Sequence, residues 1–206
     1  VMENLIFIGD SYIEATGDAT HIGWCNRVVT FTQKRFPALA LTNTLLGVGG
    51  NTSADILHRW QKEVQKALQP HTTTRLIFAF GLNDCARKHA DQLAIPLTET
   101  LQNSESILTE ATKTFPCLMI GPAPVREDRR RLEDVKAVSD GLAALCQRLH
   151  IPYLSLIPLL QDNPTWQAIL HHYDGLHPNE EGYGLMAEII ANWPAWNAWL
   201  MAENSL

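Results

Sequence analysis

Cysteine is scarce in this chain, and it carries no excess of positive charge. The four cysteines, Cys25, Cys85, Cys117 and Cys146, lie far apart and form no Cys-x-x-Cys pair, which excludes a zinc ribbon and a dithiol redox motif. Free cysteine behaves as a small buried hydrophobe, so four buried thiols in a reducing compartment are expected. Basic residues number 16 against 22 acidic ones, a formal net charge of −6. No surplus of cations is present to neutralise phosphates, and nucleic acid is not expected as a partner. No apolar run approaches the length of a membrane span, and no basic segment leads into an apolar stretch at the start. A cytoplasmic location is the expectation. Because the chain begins at Val1, secretion after removal of a signal peptide stays open, as does the oligomeric state.

What is present is ordinary globular composition: 46% hydrophobic and 18% charged residues in a chain of 206, enough for one domain over residues 1–206 with a substantial core. Short apolar runs ending in turn residues alternate with stretches of helical periodicity. Strands are expected at residues 5–8, 39–46, 75–80, 117–120 and 152–156. Helices are expected at 23–36, 53–68, 95–114, 130–149 and 180–192, with a loop-rich stretch around Pro158, Pro164 and Trp166. Strands separated by helices of this length imply βαβ units, hence a mostly parallel sheet with helices on both faces.

The apolar run Leu5-Ile6-Phe7-Ile8 stops abruptly at Gly9-Asp10-Ser11. The first strand of such a sheet delivers the residues after it to the carboxyl edge, where ligands bind, so Ser11 stands where chemistry is done. Serine needs a base, a group to orient that base, and donors for an oxyanion. The exits of the second and third strands point to the same rim. One carries Gly47-Val48-Gly49-Gly50-Asn51-Thr52-Ser53 and the other Gly81-Leu82-Asn83-Asp84. A Gly50 backbone N–H, the Asn83 side-chain amide and the Ser11 N–H are candidate donors. In Asp174-Gly175-Leu176-His177-Pro178 a spacing of three puts the carboxylate within reach of the imidazole, so Asp174 orients and His177 takes the proton. A histidine base loses function on protonation, so activity is expected to fall below about pH 6.

Together these four stretches resemble the blocks of the GDSL, or SGNH, hydrolase family, whose members are esterases, lipases, thioesterases and carbohydrate acetylesterases. The resemblance runs from residue 6 to about 184 with the blocks in the family's order. It implies Ser11 as nucleophile, Gly50 and Asn83 as oxyanion donors with the Ser11 N–H, and Asp174 and His177 as acid and base. It also implies a three-layer α/β/α, flavodoxin-like fold whose five-stranded parallel sheet has the order 2-1-3-4-5. Tyr12 stands where the family's name motif has leucine and is expected to alter the pocket wall. Gly49 and Gly50 both qualify as the donor, and the Asn-Thr-Ser next in the chain favours Gly50. Asp10, Gly49 and Asp84 are expected to brace the site.

The expected reaction is hydrolysis of a small-molecule carboxylic ester, short in its acyl chain because no long lid insertion is evident. It proceeds through a covalent acyl-enzyme with no cofactor and no metal. Gly-x-Ser-x-Gly is absent, which disfavours the α/β-hydrolase family. Two alternatives stay open: an acyltransferase using the same triad, and a non-catalytic phosphate- or flavin-binding module on the same fold. Adjacent His171 and His172 have no companion ligands in the sequence and are not expected to hold an ion. The arginines at 126, 129, 130 and 131 interleave with acids and are expected to form a solvated face, with the pocket mouth as the alternative. Trp193, Trp196 and Trp199 are expected to pack against the domain or a partner subunit.

Overall fold

The computed structural model describes residues 2–203. Its centre is the strand β1, Met2–Gly9, flanked by β2, Ala40–Gly47, and β3, Thr72–Ala79. Leu5, Ile6, Phe7 and Ile8 are all fully buried, as a strand covered on both faces requires: a continuous apolar run and not an alternating one. β3 repeats the pattern in Leu76, Ile77 and Phe78. β2, at the edge, is partly exposed along nearly its whole length, which fits its threonines and asparagine.

β1 pairs in parallel with both neighbours over eight residues, Met2 to Gly9 facing Ala40 to Gly47 on one side and Thr72 to Ala79 on the other. β4, Cys117–Ile120, pairs with β3, and the two-residue β5, Tyr153–Leu154, pairs with β4. The order is β2-β1-β3-β4-β5, all parallel, which places every strand's carboxyl end at one rim.

Parallel strands need crossovers, and helices supply them. α1, Gly23–Arg35, packs on α7, Glu180–Ala191, while α2, Ser53–Ala67, α3, Leu97–Thr112, and α4, Leu132–Arg148, pack in sequence against one another. Right-handed crossovers set these two groups on opposite faces of the sheet. Trp24 of α1 meets Phe7 of β1 edge-on, with ring centroids 5.5 Å apart. All four cysteines are free and buried.

The stretch expected to be loop-rich is largely helical: α5, Ile157–Leu160, and α6, Pro164–His172. Pro158 and Pro164 do not break these helices, because each sits in a first turn, where a missing N–H costs nothing. Asn163 caps α6 by accepting from Trp166 N at 3.0 Å. A further helix, α8, Pro194–Met201, carries two of the C-terminal tryptophans into the core. Trp196 Nε1 donates to Thr32 Oγ1 at 3.0 Å, and Trp199 stacks under Arg75, whose guanidinium carbon lies 5.4 Å from the ring centroid.

Candidate active site

Just past β1 the chain tightens on itself: Ile13 N and Glu14 N both donate to the Asp10 carbonyl, at 3.1 and 3.3 Å, and Tyr12 N donates to Asp10 Oδ1 at 3.0 Å. The turn holds Ser11 at the rim, 8% exposed. Burial pushes the Asp10 carboxyl up to about 7, against the pull of the Tyr12 amide. Its side chain is buried within the turn. Asp10 and Tyr12 also line a small cavity of about 20 Å³, walled by Trp24, Phe80, Leu82, Ala123 and Leu156, that Ser11 does not line.

Ser11 Oγ lies 2.9 Å from His177 Nε2, and His177 Nδ1 lies 2.6 Å from Asp174 Oδ2. A carboxylate only accepts, so Nδ1 carries the ring proton and Nε2 is left to accept from the serine hydroxyl. The other oxygen, Asp174 Oδ1, accepts from Leu176 N and His177 N, each at 2.8 Å. One carboxylate therefore both folds the loop and aims the ring. Partial burial pushes the Asp174 carboxyl up, but the hydrogen bonds from the His177 ring and from the His177 and Leu176 amides outweigh it and hold its pKa at about 2.

Three N–H groups stand without an acceptor at the same rim. Ser11 N and Gly50 N have none among the described residues. Gly50 adopts φ +78°, and a Cβ there would meet nothing within 4 Å. The neighbouring Gly49 N is occupied by the Glu14 carboxylate, which separates the two glycines that the sequence left together. Asn83 opens a 3₁₀ turn, Asn83–Cys85, and its Nδ2 donates to the Asn51 carbonyl at 2.9 Å. That uses one amide proton and leaves the second.

Asp84 braces this arrangement from below. Its carboxylate accepts from Ser53 N at 2.8 Å, Ser53 Oγ at 2.5 Å and Thr100 Oγ1 at 2.7 Å. It thereby ties the Asn83 turn to the start of α2 and to α3. Burial pushes this carboxyl's pKa up, and the serine and threonine donors oppose it. Tyr12 is buried, and its hydroxyl donates to the Leu176 carbonyl at 2.7 Å, so it grips the loop that carries the imidazole.

Sequence reasoning missed several supports. Arg59 donates to the Gly9 and Leu46 carbonyls at 2.7 and 3.1 Å and to Asn51 Oδ1 at 2.6 Å, pinning two strand exits to one turn. The arginine run is not simply a solvated face. Arg126 N donates to the Gly175 carbonyl at 2.8 Å, its guanidinium reaches the Leu170 carbonyl at 3.1 Å, and Arg129 donates to the Asp174 carbonyl. The only sequence signal was position, directly after the carboxyl end of β4. His171 and His172 lie outside this site on α6, exposed and stacked edge to face. Among the described residues no group of three or more His, Cys, Asp or Glu is placed to hold a metal ion.

The family model of the GDSL-like Lipase/Acylhydrolase family matches residues 7–185. The chain belongs to that family. It is accordingly a carboxylic ester hydrolase. No curated protein matches it by sequence, but solved structures do by fold. A lipase/acylhydrolase from Enterococcus faecalis superposes with TM-score 0.71 at 22% identity, covering 92% of this chain and 94% of that one. Axe2, an acetylxylan esterase from Geobacillus stearothermophilus, gives 0.74 at 18% identity over 98% and 97%. LAE5, an alpha/beta hydrolase enzyme from the metagenome of Lake Arreo, Spain, gives 0.71 at 19% over 97% and 96%. No helix of this GDSL-family hydrolase among the described residues is long and apolar enough to cross a membrane.

Proposed function

We propose that this hydrolase cleaves small carboxylic esters with short acyl chains through an acyl-enzyme on Ser11. The carrying observation is the hydrogen-bonded series Ser11 Oγ, His177 Nε2, His177 Nδ1 and Asp174 Oδ2, with contacts of 2.9 and 2.6 Å. Ser11 Oγ attacks the carbonyl carbon as His177 Nε2 takes its proton. The imidazolium is steadied by Asp174, whose low pKa keeps it ionised. Negative charge developing on the carbonyl oxygen is met by Ser11 N–H, Gly50 N–H and the second Asn83 Nδ2 proton, and each such donor is worth about 2.7–4 kcal/mol of barrier. His177 then protonates the departing alcohol, the ester oxygen–carbon bond breaks, and water attacks the acyl-serine with His177 again as base. The short-acyl preference is supported by the likeness in fold to Axe2, an acetylxylan esterase.

The test is turnover of p-nitrophenyl esters from acetyl to palmitoyl, with fluorophosphonate labelling of wild type and Ser11→Ala. Labelling and turnover confined to the wild type, with rates highest on the shortest chains, are expected. An active Ser11→Ala protein removes the nucleophile assignment, and fastest turnover of palmitoyl esters removes the short-chain one.

A further inference from the structure

The turn after β4 places one guanidinium directly behind the asparagine amide. Arg129 N and Arg130 N both donate to the Arg126 carbonyl, at 2.8 and 3.2 Å, and the turn so formed sends the Arg130 side chain inward, half-buried. Its Nε donates to the Leu82 carbonyl at 3.0 Å, its Nη1 to the Arg129 carbonyl at 2.7 Å, and its Nη2 to Asn83 Oδ1 at 3.4 Å. Arg126 and Arg131, in the same run, are paired with Asp128 and Asp91. Arg130 has no carboxylate partner among the described residues, so its charge is not cancelled locally.

An asparagine amide can rotate to present either its oxygen or its nitrogen. A guanidinium only donates and a carbonyl only accepts. With Arg130 on one side and the Asn51 carbonyl on the other, both neighbours select the same orientation, Oδ1 inward and Nδ2 toward the rim. A cation at the amide oxygen also draws electron density from the nitrogen and makes its N–H the stronger donor.

We propose that Arg130 is a positioning residue for the oxyanion: it locks and polarises the Asn83 amide so that the free Nδ2 proton meets the charge that develops on the substrate carbonyl. This rests on the reading of Asn83 as an oxyanion donor. The effect belongs to the transition state, where the oxygen is charged, so it falls on kcat more than on KM.

The experiment is a double-mutant cycle with p-nitrophenyl acetate, using Arg130→Met, Asn83→Ala and the double variant, with Arg130→Lys as the conservative replacement and thermal unfolding on each. Loss of a charge-assisted hydrogen bond corresponds to about 10-fold or more in rate. Arg130→Met is expected to lower kcat by about that factor with KM within about twofold, and Arg130→Lys to recover part of it. In the Asn83→Ala background the same change is expected to cost less than about twofold, because the group it acts through is gone. Equal losses in both backgrounds, or a folded Arg130→Met protein with wild-type kcat, overturn the proposal. Should Arg130→Met fail to fold, Arg130→Lys in both backgrounds decides it by the same comparison. Wild-type kcat in Asn83→Ala instead overturns the donor assignment itself, a separate failure.

Discussion

The proposed nucleophile and the proposed base are held in place by different means. Ser11, Gly50 and Asn83 come just after strands that pair over eight residues on each side of β1, so the backbone ladder positions them. The loop 174–177 belongs to no strand. It is gripped by a tyrosine hydroxyl, two arginines and its own carboxylate. Burial shows the same division: Ser11 is 8% exposed, whereas the Asp174 side chain is 47% exposed. A ladder is cooperative and fails only with the fold, while a loop held by side chains shifts when one of them is lost. The difference implies that damage near the base lowers turnover before stability, and damage deep in the sheet does the reverse.

The sharpest way to break that contrast is Asp174→Asn. The carboxylate sets the ring tautomer, and its loss is expected to lower kcat by about 10³- to 10⁴-fold, with a melting temperature close to wild type because the side chain is half exposed. Ester kinetics and circular dichroism on one preparation check it. A matched loss of fold and activity would erase the distinction. Since Asp174 stays ionised down to about pH 2, its own titration does not set the acid limb of the activity profile.

The reverse case lies within the sheet, on the central strand β3. Arg75, 2% exposed, pairs with Glu3 at 2.9 Å and donates to the Trp199 and Ala202 carbonyls at 2.7 and 2.6 Å. Arg75→Met strands a carboxylate and two carbonyls, at a cost of about 3 kcal/mol. That is a fall of about 6–12 °C in Tm for a chain of this size, with kcat/KM of the folded protein within about twofold of wild type. Calorimetry and steady-state kinetics decide it, and a tenfold activity loss would show the two regions to be coupled.

Two glycines with the same φ of +78° sharpen the comparison further. A Cβ on Gly175 would come within 2.6 Å of the Arg126 guanidinium carbon, whereas one on Gly50 would meet nothing within 4 Å. Both alanines carry left-handed strain of about 1–2 kcal/mol. Only Gly175→Ala must also displace the Arg126 side chain that holds the base loop, and it is expected to lower kcat by about 10- to 100-fold. Gly50→Ala keeps its N–H and is expected to stay within about threefold of wild type. Kinetics of the pair measure the gap directly, and the reverse order would contradict it.

The last contrast is one of pH and concerns Asp10. Its folded-state pKa of about 7 lies above the ordinary carboxylate value, so its contribution to stability is complete below that ordinary value and is lost as pH rises through 7. Asp10→Asn keeps an oxygen for the Tyr12 amide and has nothing to titrate. Relative to wild type, its Tm is expected to gain about 5–10 °C between pH 5 and pH 8. A gap that stays constant with pH would mean that the carboxyl does not titrate in this window.

Much of this architecture is local and therefore legible in one dimension. Leu5-Ile6-Phe7-Ile8 had to be a strand covered on both faces, because four consecutive apolar residues ending at a glycine leave no polar face for solvent. The order β2-β1-β3-β4-β5 and the serine, asparagine and aspartate–histidine blocks were likewise readable through the family resemblance. Pro158 and Pro164 misled, since a proline marks a break or a beginning according to the residues around it. The arginine run misled too, because alternating charges look the same whether they face solvent or reach inward. Sequence by itself determined which elements form and which chemically able residues stand at their ends, as both depend on neighbours within a few positions. Only the tertiary structure decided that Gly49 spends its amide on Glu14, that Arg130 stands behind Asn83, and that two more arginines hold the base loop. Those contacts join residues 35 to 49 positions apart, and their geometry exists only once the sheet has brought its carboxyl ends to one rim.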